Sequence, residues 1–201
     1  MSSQRLDVSS MRQPRWVSAM FDDTKTVWPW AWLALRVWLG YQWFEAGWEK
    51  LTNPAWVSTG EALKSFWLRS VAIPAPPGRP AITYDWYRGF LQFLLDNGTY
   101  PWFARLITYG EILVAIGLIL GATVGFAAFF GALMNFNFML AGSASTNPVM
   151  FLAAVVLIVA WKVAGYYGLD RWVLPALGTP WSIGWLFGGG RIAPSRTVVT
   201  H

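Results

Sequence analysis

Three otherwise apolar stretches of this chain each carry one strongly polar side chain: Arg36, Glu111 and Asn135. An ionisable group inside hydrocarbon is costly unless it is paired, so such residues are functional candidates first. At ~1.5 Å of helix rise per residue, Arg36 lies about 14 Å beyond Val27. Glu111 lies about 15 Å before Gly121, and Asn135 about 15 Å beyond Gly125. If Val27, Gly121 and Gly125 mark one edge, the three side chains share a depth. That spacing predicts an Arg36–Glu111 ion pair with Asn135 hydrogen-bonded to it. Two kinds of work are open to such a cluster. The arginine can hold an anion or a carbonyl oxygen while the glutamate relays a proton. Alternatively, the buried pair only fixes helix register. Helical spacing puts Asn135 on a face with Ala128, Gly131 and Gly142, and Asn137 on another with Phe130, Leu133 and Ala141. Asn135 is therefore the cluster member.

A second group lies further along the first stretch. Glu45 and Glu49 are one helical turn apart, Gln42 flanks them and Lys50 follows. Two carboxylates on one stripe raise each other's pKa when buried and can form a proton path. A wet helix end with Lys50 beside it is the simpler reading. The absences exclude whole classes of chemistry. There is no Cys, which removes disulfides, thiolate nucleophiles, iron–sulfur clusters and thiolate zinc sites. The one His is His201, so a His-ligated haem or metal and a His-based triad are not expected. Gly188-Gly-Gly-Arg191 follows no strand and opens no clear helix, so it is not a nucleotide loop.

The elements that must position these residues follow from composition. The chain has 201 residues, 55% hydrophobic and 12% charged, with 15 Trp and a net charge of +5. So few charges could not cover a soluble globule, which points to the bilayer as solvent. The positive balance fits orientation against anionic headgroups, and nothing suggests nucleic-acid binding. The sequence predicts an all-α integral membrane four-helix bundle, each span about the ~20 residues needed to cross a bilayer. The spans are 27–48, 102–121, 125–141 and 148–167, forming a domain of residues 27–170. Residues 1–26 read as a cytoplasmic tail and 171–201 as a C-terminal tail, whose Trp181 and Trp185 lie in too broken a stretch for a fifth span. The two short links force antiparallel neighbours. Gly117, Gly121 and Gly125 recur every four residues and let backbones approach, or simply make the turn.

The long connection, 52–100, reads as a partly helical extracytoplasmic loop. Ser58-Thr-Gly-Glu61 resembles a capping box before an amphipathic stretch containing Trp67. A second amphipathic stretch, Tyr84–Leu95, ends at Asn97-Gly98. Both are expected to lie on the membrane surface or over the bundle mouth, with Trp67 and Phe90 available to dock a partner. Arg36 apart, eight of the Lys and Arg residues, Lys162 near a span end included, fall on the side of the termini and six, Arg105 near a span end included, on the other. That bias places both termini in the cytoplasm; the expected location is the plasma membrane.

The first stretch ends Arg36-Val-Trp-Leu39-Gly40-Tyr-Gln-Trp-Phe44-Glu-Ala-Gly47-Trp-Glu-Lys50-Leu51. It resembles the DoxX/DoxD pattern of Arg, Leu-Gly, Phe and then Gly-x-x-Lys-Leu. Gly110-Glu111 leading into an apolar span, followed by an Asn-bearing small-residue span, is similar to the family's second signature. The order of elements matches over about residues 27–170. The resemblance implies a four-helix membrane subunit of a quinone-linked oxidoreductase, some members passing electrons from thiosulfate to a quinone. It carries Arg36, Gly47, Lys50 and Glu111 over as pattern positions. On that reading Lys50 and Arg105 attract the dianion at the outer mouth, a quinone enters beside Arg36 and Glu111, and Glu45 and Glu49 take up protons. The quinone is a co-substrate, and with no electron carrier expected on this chain, a partner subunit is implied. The alternative is a non-catalytic accessory subunit of a larger respiratory or photosynthetic membrane complex.

Overall fold

The computed structural model describes residues 15–21 and 24–178, and among them every regular element is a helix. The short α1 (Arg15–Phe21) leads into the long α2 (Trp28–Leu51). Three short helices follow: α3 (Pro54–Val57), α4 (Glu61–Val71) and α5 (Asp85–Asp96). Then come α6 (Tyr100–Leu120), α7 (Val124–Leu140), α8 (Asn147–Val159), the single turn α9 (Trp161–Ala164) and α10 (Asp170–Leu177).

The boundaries have local causes. α2, α6 and α8 each carry Pro in the first two helical positions, where the missing N–H costs nothing. α6 stops at Gly121, whose φ of 66° lies in the left-handed region that glycine adopts at least cost. Span 4 is expected to run to residue 167, but α8 ends at Val159 and the chain restarts as α9. The expected capping box does not form. Ser58 instead ends α3, and Gly60 in a left-handed conformation opens α4.

α2 packs on α6, α6 on α7, α7 on α8 and α8 back on α2, so the four long helices close a ring of contacts. The interior of this ring mixes large apolar side chains such as Trp43, Leu118 and Leu157 with small ones such as Ala115, Ala128 and Ala154, which let helices lie close together. The outside is the reverse. Leu113, Phe126 and Leu152 are 68%, 69% and 64% exposed, while Arg36, Thr108, Glu111 and Asn135 are buried. A soluble helical protein hides its large apolar side chains; this one presents them. α6 alone among the described helices is long and apolar enough to cross a membrane by itself; α7 and α8 are apolar but only 17 and 13 residues long. α2 has the length, 24 residues, but carries four charged side chains.

Two ends can be distinguished. The base holds α1, α9, α10 and the α6–α7 turn, and the cap holds α3–α5 and the α7–α8 turn. At the base, Trp32 donates its indole N–H to Met20 of α1 at 2.9 Å, so the end of the 1–26 segment is docked. At the cap, α4 and α5 build a second apolar core from Leu63, Trp67, Tyr87, Leu91 and Leu94 against Ala104 and Ala141. Trp67 is therefore no docking residue; it is buried and meets Phe103 edge-on at 5.6 Å. Residues 1–14, 22–23 and 179–201 lie outside the described residues, including Trp181, Trp185, the Gly188–Arg191 run and His201.

Candidate functional site

The α2–α6 register decides where every charged side chain can reach. A Cβ on Gly40 would lie 3.1 Å from Leu118 Cβ, and one on Gly47 would lie 3.1 Å from Glu111 Cβ. Seven residues forward on α2 thus match seven backward on α6. Arg36 then lies level with the α6–α7 turn, about 17 Å along the axis from Glu111 at ~1.5 Å per residue. The expected Arg36–Glu111 pair does not exist. Val27 and Gly121 are not level, because α2 starts well beyond the end of α6. Side chains also lean toward their own helix N-terminus, which takes Arg36 down to the base and Glu111 up to the cap.

At the base, Arg36 is a helix cap. Its Nη1 donates to the carbonyls of Leu118 and Ile119 at 2.6 and 2.8 Å, and its Nη2 to Tyr167 at 2.8 Å. The guanidinium sits against Gly121, where a Cβ would come within 2.8 Å of its Cζ. A cation on the last carbonyls of α6 meets the negative end of the helix dipole. Asp170 does the converse for α7, accepting the N–H groups of Thr123 and Val124, the latter at 2.9 Å. Burial pushes the Asp170 carboxyl above its ordinary pKa, against the opposing pull of those two N–H groups and of Arg36. The backbone N–H groups of Leu169 and Asp170 complete the turn by donating to Leu120 and Gly121.

The cap is built differently. Lys50 Nζ lies 2.9 Å from Glu111 Oε2, also bonds the Ala46 carbonyl at 3.2 Å, and lies 5.3 Å from the centre of the Trp56 ring. Gly47 makes this possible: it lets α2 close onto Glu111, and Lys50 one turn later reaches the carboxylate. The lysine is 17% exposed and the glutamate fully buried. Among the described residues, Glu111 Oε1 has no hydrogen-bond partner, and neither do Trp43 Nε1, either polar atom of Asn135 or, at the base, Arg36 Nε. A Cβ on Gly131 would touch both Trp43 Nε1 and Val114, so α7 meets α2 and α6 one turn below Glu111. Asn135, one turn further along α7, is therefore level with Glu111, as the depth count expects; Arg36 is the member that leaves the cluster.

Above this pair opens a cavity of about 670 Å³, walled by α2, α4 and the α7–α8 turn, with Glu111 and Trp43 among its lining residues. Glu45, Glu49 and Lys50 all line it, and both glutamates are exposed. Arg105 does not. It donates to the Val57 and Ser58 carbonyls at 2.9 and 3.2 Å and ties the loop to α6. The cavity's second cation is Arg69.

The geometry joins Gly47, Lys50 and Glu111 into one unit and ties Arg36 to the end of α6. The DoxX family model matches residues 31–144, more than half of the chain, and this segment contains all of these residues. The chain belongs to the DoxX family. No curated protein and no solved structure matches it.

Within the matched DoxX segment the sequence pattern marks Arg36, Gly47, Lys50 and Glu111, but not the partners each one takes. Asp170 lies beyond the segment and carries no motif. Trp43 and Arg69 were also missed. Trp43 lies seven residues from both Arg36 and Lys50, a heptad spacing that could have placed it on the buried stripe. Arg69 reaches the cavity only because α4 folds over it, which local sequence does not reveal.

Proposed function

We propose that this DoxX protein is the four-span membrane subunit of a quinone-linked oxidoreductase, with the quinone ring in the cap cavity. α2, α6, α7 and α8 would cross the plasma membrane, the apolar outer faces against lipid and both termini in the cytoplasm. The observation that carries the reading is the Lys50–Glu111 pair on the cavity wall, beside unpartnered buried groups on Trp43 and Asn135. Buried donors and acceptors without partners are costly and call for a ligand or water. An indole N–H and an ammonium are suited to a polarised carbonyl, and Trp43, Trp56, Phe66 and Phe138 offer apolar surface for a ring.

Charge favours a neutral occupant. Glu45, Glu49 and Glu111 face only Lys50 and Arg69 in the lining, so the cavity repels a dianion. Arg105, the expected anion collector, is engaged with backbone carbonyls. We therefore assign thiosulfate to a partner subunit and the quinone to this chain. Two thiosulfates joined by an S–S bond release two electrons; the quinone takes these and two protons to become the quinol. Glu45 and Glu49 stand at the cavity mouth to pass those protons.

The test is thiosulfate-driven quinone reduction in native membranes and after mild-detergent purification. Glu111→Gln and Lys50→Met should each lower turnover by on the order of 10²-fold, a typical proton-transfer contribution, while the subunits still co-purify. Unchanged turnover in an intact complex would overturn the assignment. One observation favours an accessory role instead. Trp86, Phe90 and Phe93 of α5 are 65%, 44% and 62% exposed, a surface suited to a partner or to headgroups. Recovery in a large respiratory or pigment complex, without quinone turnover, would support that second reading.

A further inference from the structure

The cap cavity has an apolar neighbour. A crevice of about 250 Å³ lies between α4 and α5 on one side and α6 and α7 on the other. Phe66 and Phe138 line both the crevice and the cavity, so two phenyl rings are the wall between them. Further out, the crevice is bounded by Leu106, Leu133 and Phe90, which are 50%, 45% and 44% exposed on the outer surface.

The two spaces differ in chemistry. In the crevice the polar side chains are already engaged. Tyr87 donates its phenol O–H to the Asn137 carbonyl at 3.0 Å, and Asn137 Nδ2 donates to the Leu133 carbonyl at 2.8 Å. In the cavity wall, Trp43 Nε1 and Glu111 Oε1 have no hydrogen-bond partner among the described residues. A polar chamber and a dry slot in series, the slot opening at an apolar surface, fit a molecule with a polar ring and a long hydrocarbon tail.

Building on the quinone reading above, we propose that the crevice between α5, α6 and α7 holds the ring-proximal part of the hydrocarbon tail of a long-chain quinone. Its ring reaches the Lys50–Glu111 pair past Phe66 and Phe138. The substrate class is therefore a membrane-dissolved, long-tailed quinone entering sideways between helices, not a water-soluble one entering through the open mouth. A phospholipid acyl chain shares the tail's chemistry but has no ring for the cavity.

The experiment uses the full-length protein in nanodiscs. Binding is measured for a tail-less benzoquinone, a decyl-substituted quinone and a long isoprenoid quinone. A decyl-substituted quinone with a photoreactive group at its tail end, short enough to end in the crevice, is crosslinked, and the labelled peptides are mapped. Crosslinks to α5 around Leu91 and to Ile107 or Leu133 are expected, with at least tenfold tighter binding of the long-tailed quinone than of the tail-less one. Leu133→Trp, which fills the slot, should cut that ratio several-fold, and Phe138→Ala should change it without filling the slot. Equal binding at all tail lengths, or labels only outside the crevice, overturns the tail site and leaves the quinone reading standing. A photoreactive phospholipid that labels the crevice and is not displaced by long-tailed quinone also overturns it. Failure of every quinone to bind overturns both.

Discussion

The base and the cap of the helix assembly each bury an ionic residue, yet the two ends treat it in opposite ways. At the base, the terminal nitrogens of Arg36 are spent on three backbone carbonyls, and Asp170 is spent on two backbone N–H groups. Among the described residues, Arg36 Nε is the one polar side-chain atom of these two groups without a hydrogen-bond partner. At the cap, Lys50 and Glu111 pair side chain to side chain, one carboxylate oxygen stays unpartnered, and a cavity lies beside them. A charge that closes a helix end serves the fold, because the dipole and the orphan backbone groups are its partners. A charge whose partner is another mobile side chain, beside a cavity, can exchange that partner. Buried charge alone therefore does not mark chemistry; what the charge is bonded to does.

Arg36→Met should break the comparison hardest. It leaves the Leu118, Ile119 and Tyr167 carbonyls without their donor and Asp170 without its counter-charge. The expected cost is about 3–5 kcal/mol, the range for removing one member of a buried charged network. Thermal unfolding in detergent, with recovery of folded protein from membranes, reads the effect. Arg36→Lys should recover only part of the loss, since one ammonium cannot fork across carbonyls as a guanidinium does. A folded Arg36→Met protein that has lost only turnover would move Arg36 from the fold to the chemistry.

Lys50→Met and Glu111→Gln should cost less stability and more turnover. Lys50→Met leaves a carboxylate buried, so a loss of about 2–3 kcal/mol is expected, at or below the lower end for a broken buried pair. Glu111→Gln leaves a lysine that can turn to the cavity, and the loss should be near 1 kcal/mol. A double-mutant cycle read by thermal unfolding should therefore give a coupling of about 1–2 kcal/mol. No coupling would mean that the two groups are not paired in the membrane.

Asp170 comes next. Its carboxyl has a raised pKa in the folded protein. A group raised on folding binds its proton more tightly when folded, so its contribution is fully present below the unfolded value and is lost as pH rises through the folded value. Asp170→Asn should flatten that part of the stability–pH curve and remove about 1 kcal/mol of helix capping. A curve with the same slope in the variant would assign the pH dependence elsewhere.

The contrast between base and cap was only half legible in the sequence. The openings of α2, α6 and α8 are written in Trp28-Pro29, Tyr100-Pro101 and Asn147-Pro148, and the end of α6 in Gly121. Local rules suffice for those. The level of Arg36 depends on how far α2 overshoots α6, and that register is set by Gly40 and Gly47 meeting Leu118 and Glu111, a contact between distant segments. Counting depth from each helix's own edge therefore kept Asn135 with Glu111 but misplaced Arg36. Ser58-Thr-Gly-Glu61 failed for a related reason. Gly60 lies against the backbone of Pro101, where a Cβ would come within 2.6 Å, so packing on α6 overrides the capping pattern.

The smallest effect sharpens the comparison at its weakest point, the exclusion of the dianion from the cap. Arg105 is exposed and holds the Val57 and Ser58 carbonyls, contacts worth at most about 1 kcal/mol in so wet a setting. Arg105→Ala should therefore lower stability by no more than that and leave thiosulfate-dependent turnover at its original value across a salt titration. Arg69→Ala is the contrast, because Arg69 lines the cavity and offsets its three glutamates. If the occupant is a neutral quinone, Arg69→Ala should alter quinone affinity with little salt dependence. If the occupant is thiosulfate, the same variant should raise its KM steeply at low salt, where a lost charge is least screened. A salt-dependent rise at Arg69 would bring the dianion back into this cavity. Such a rise at Arg105 alone would put the dianion's entry on the α3–α6 face, outside the cavity.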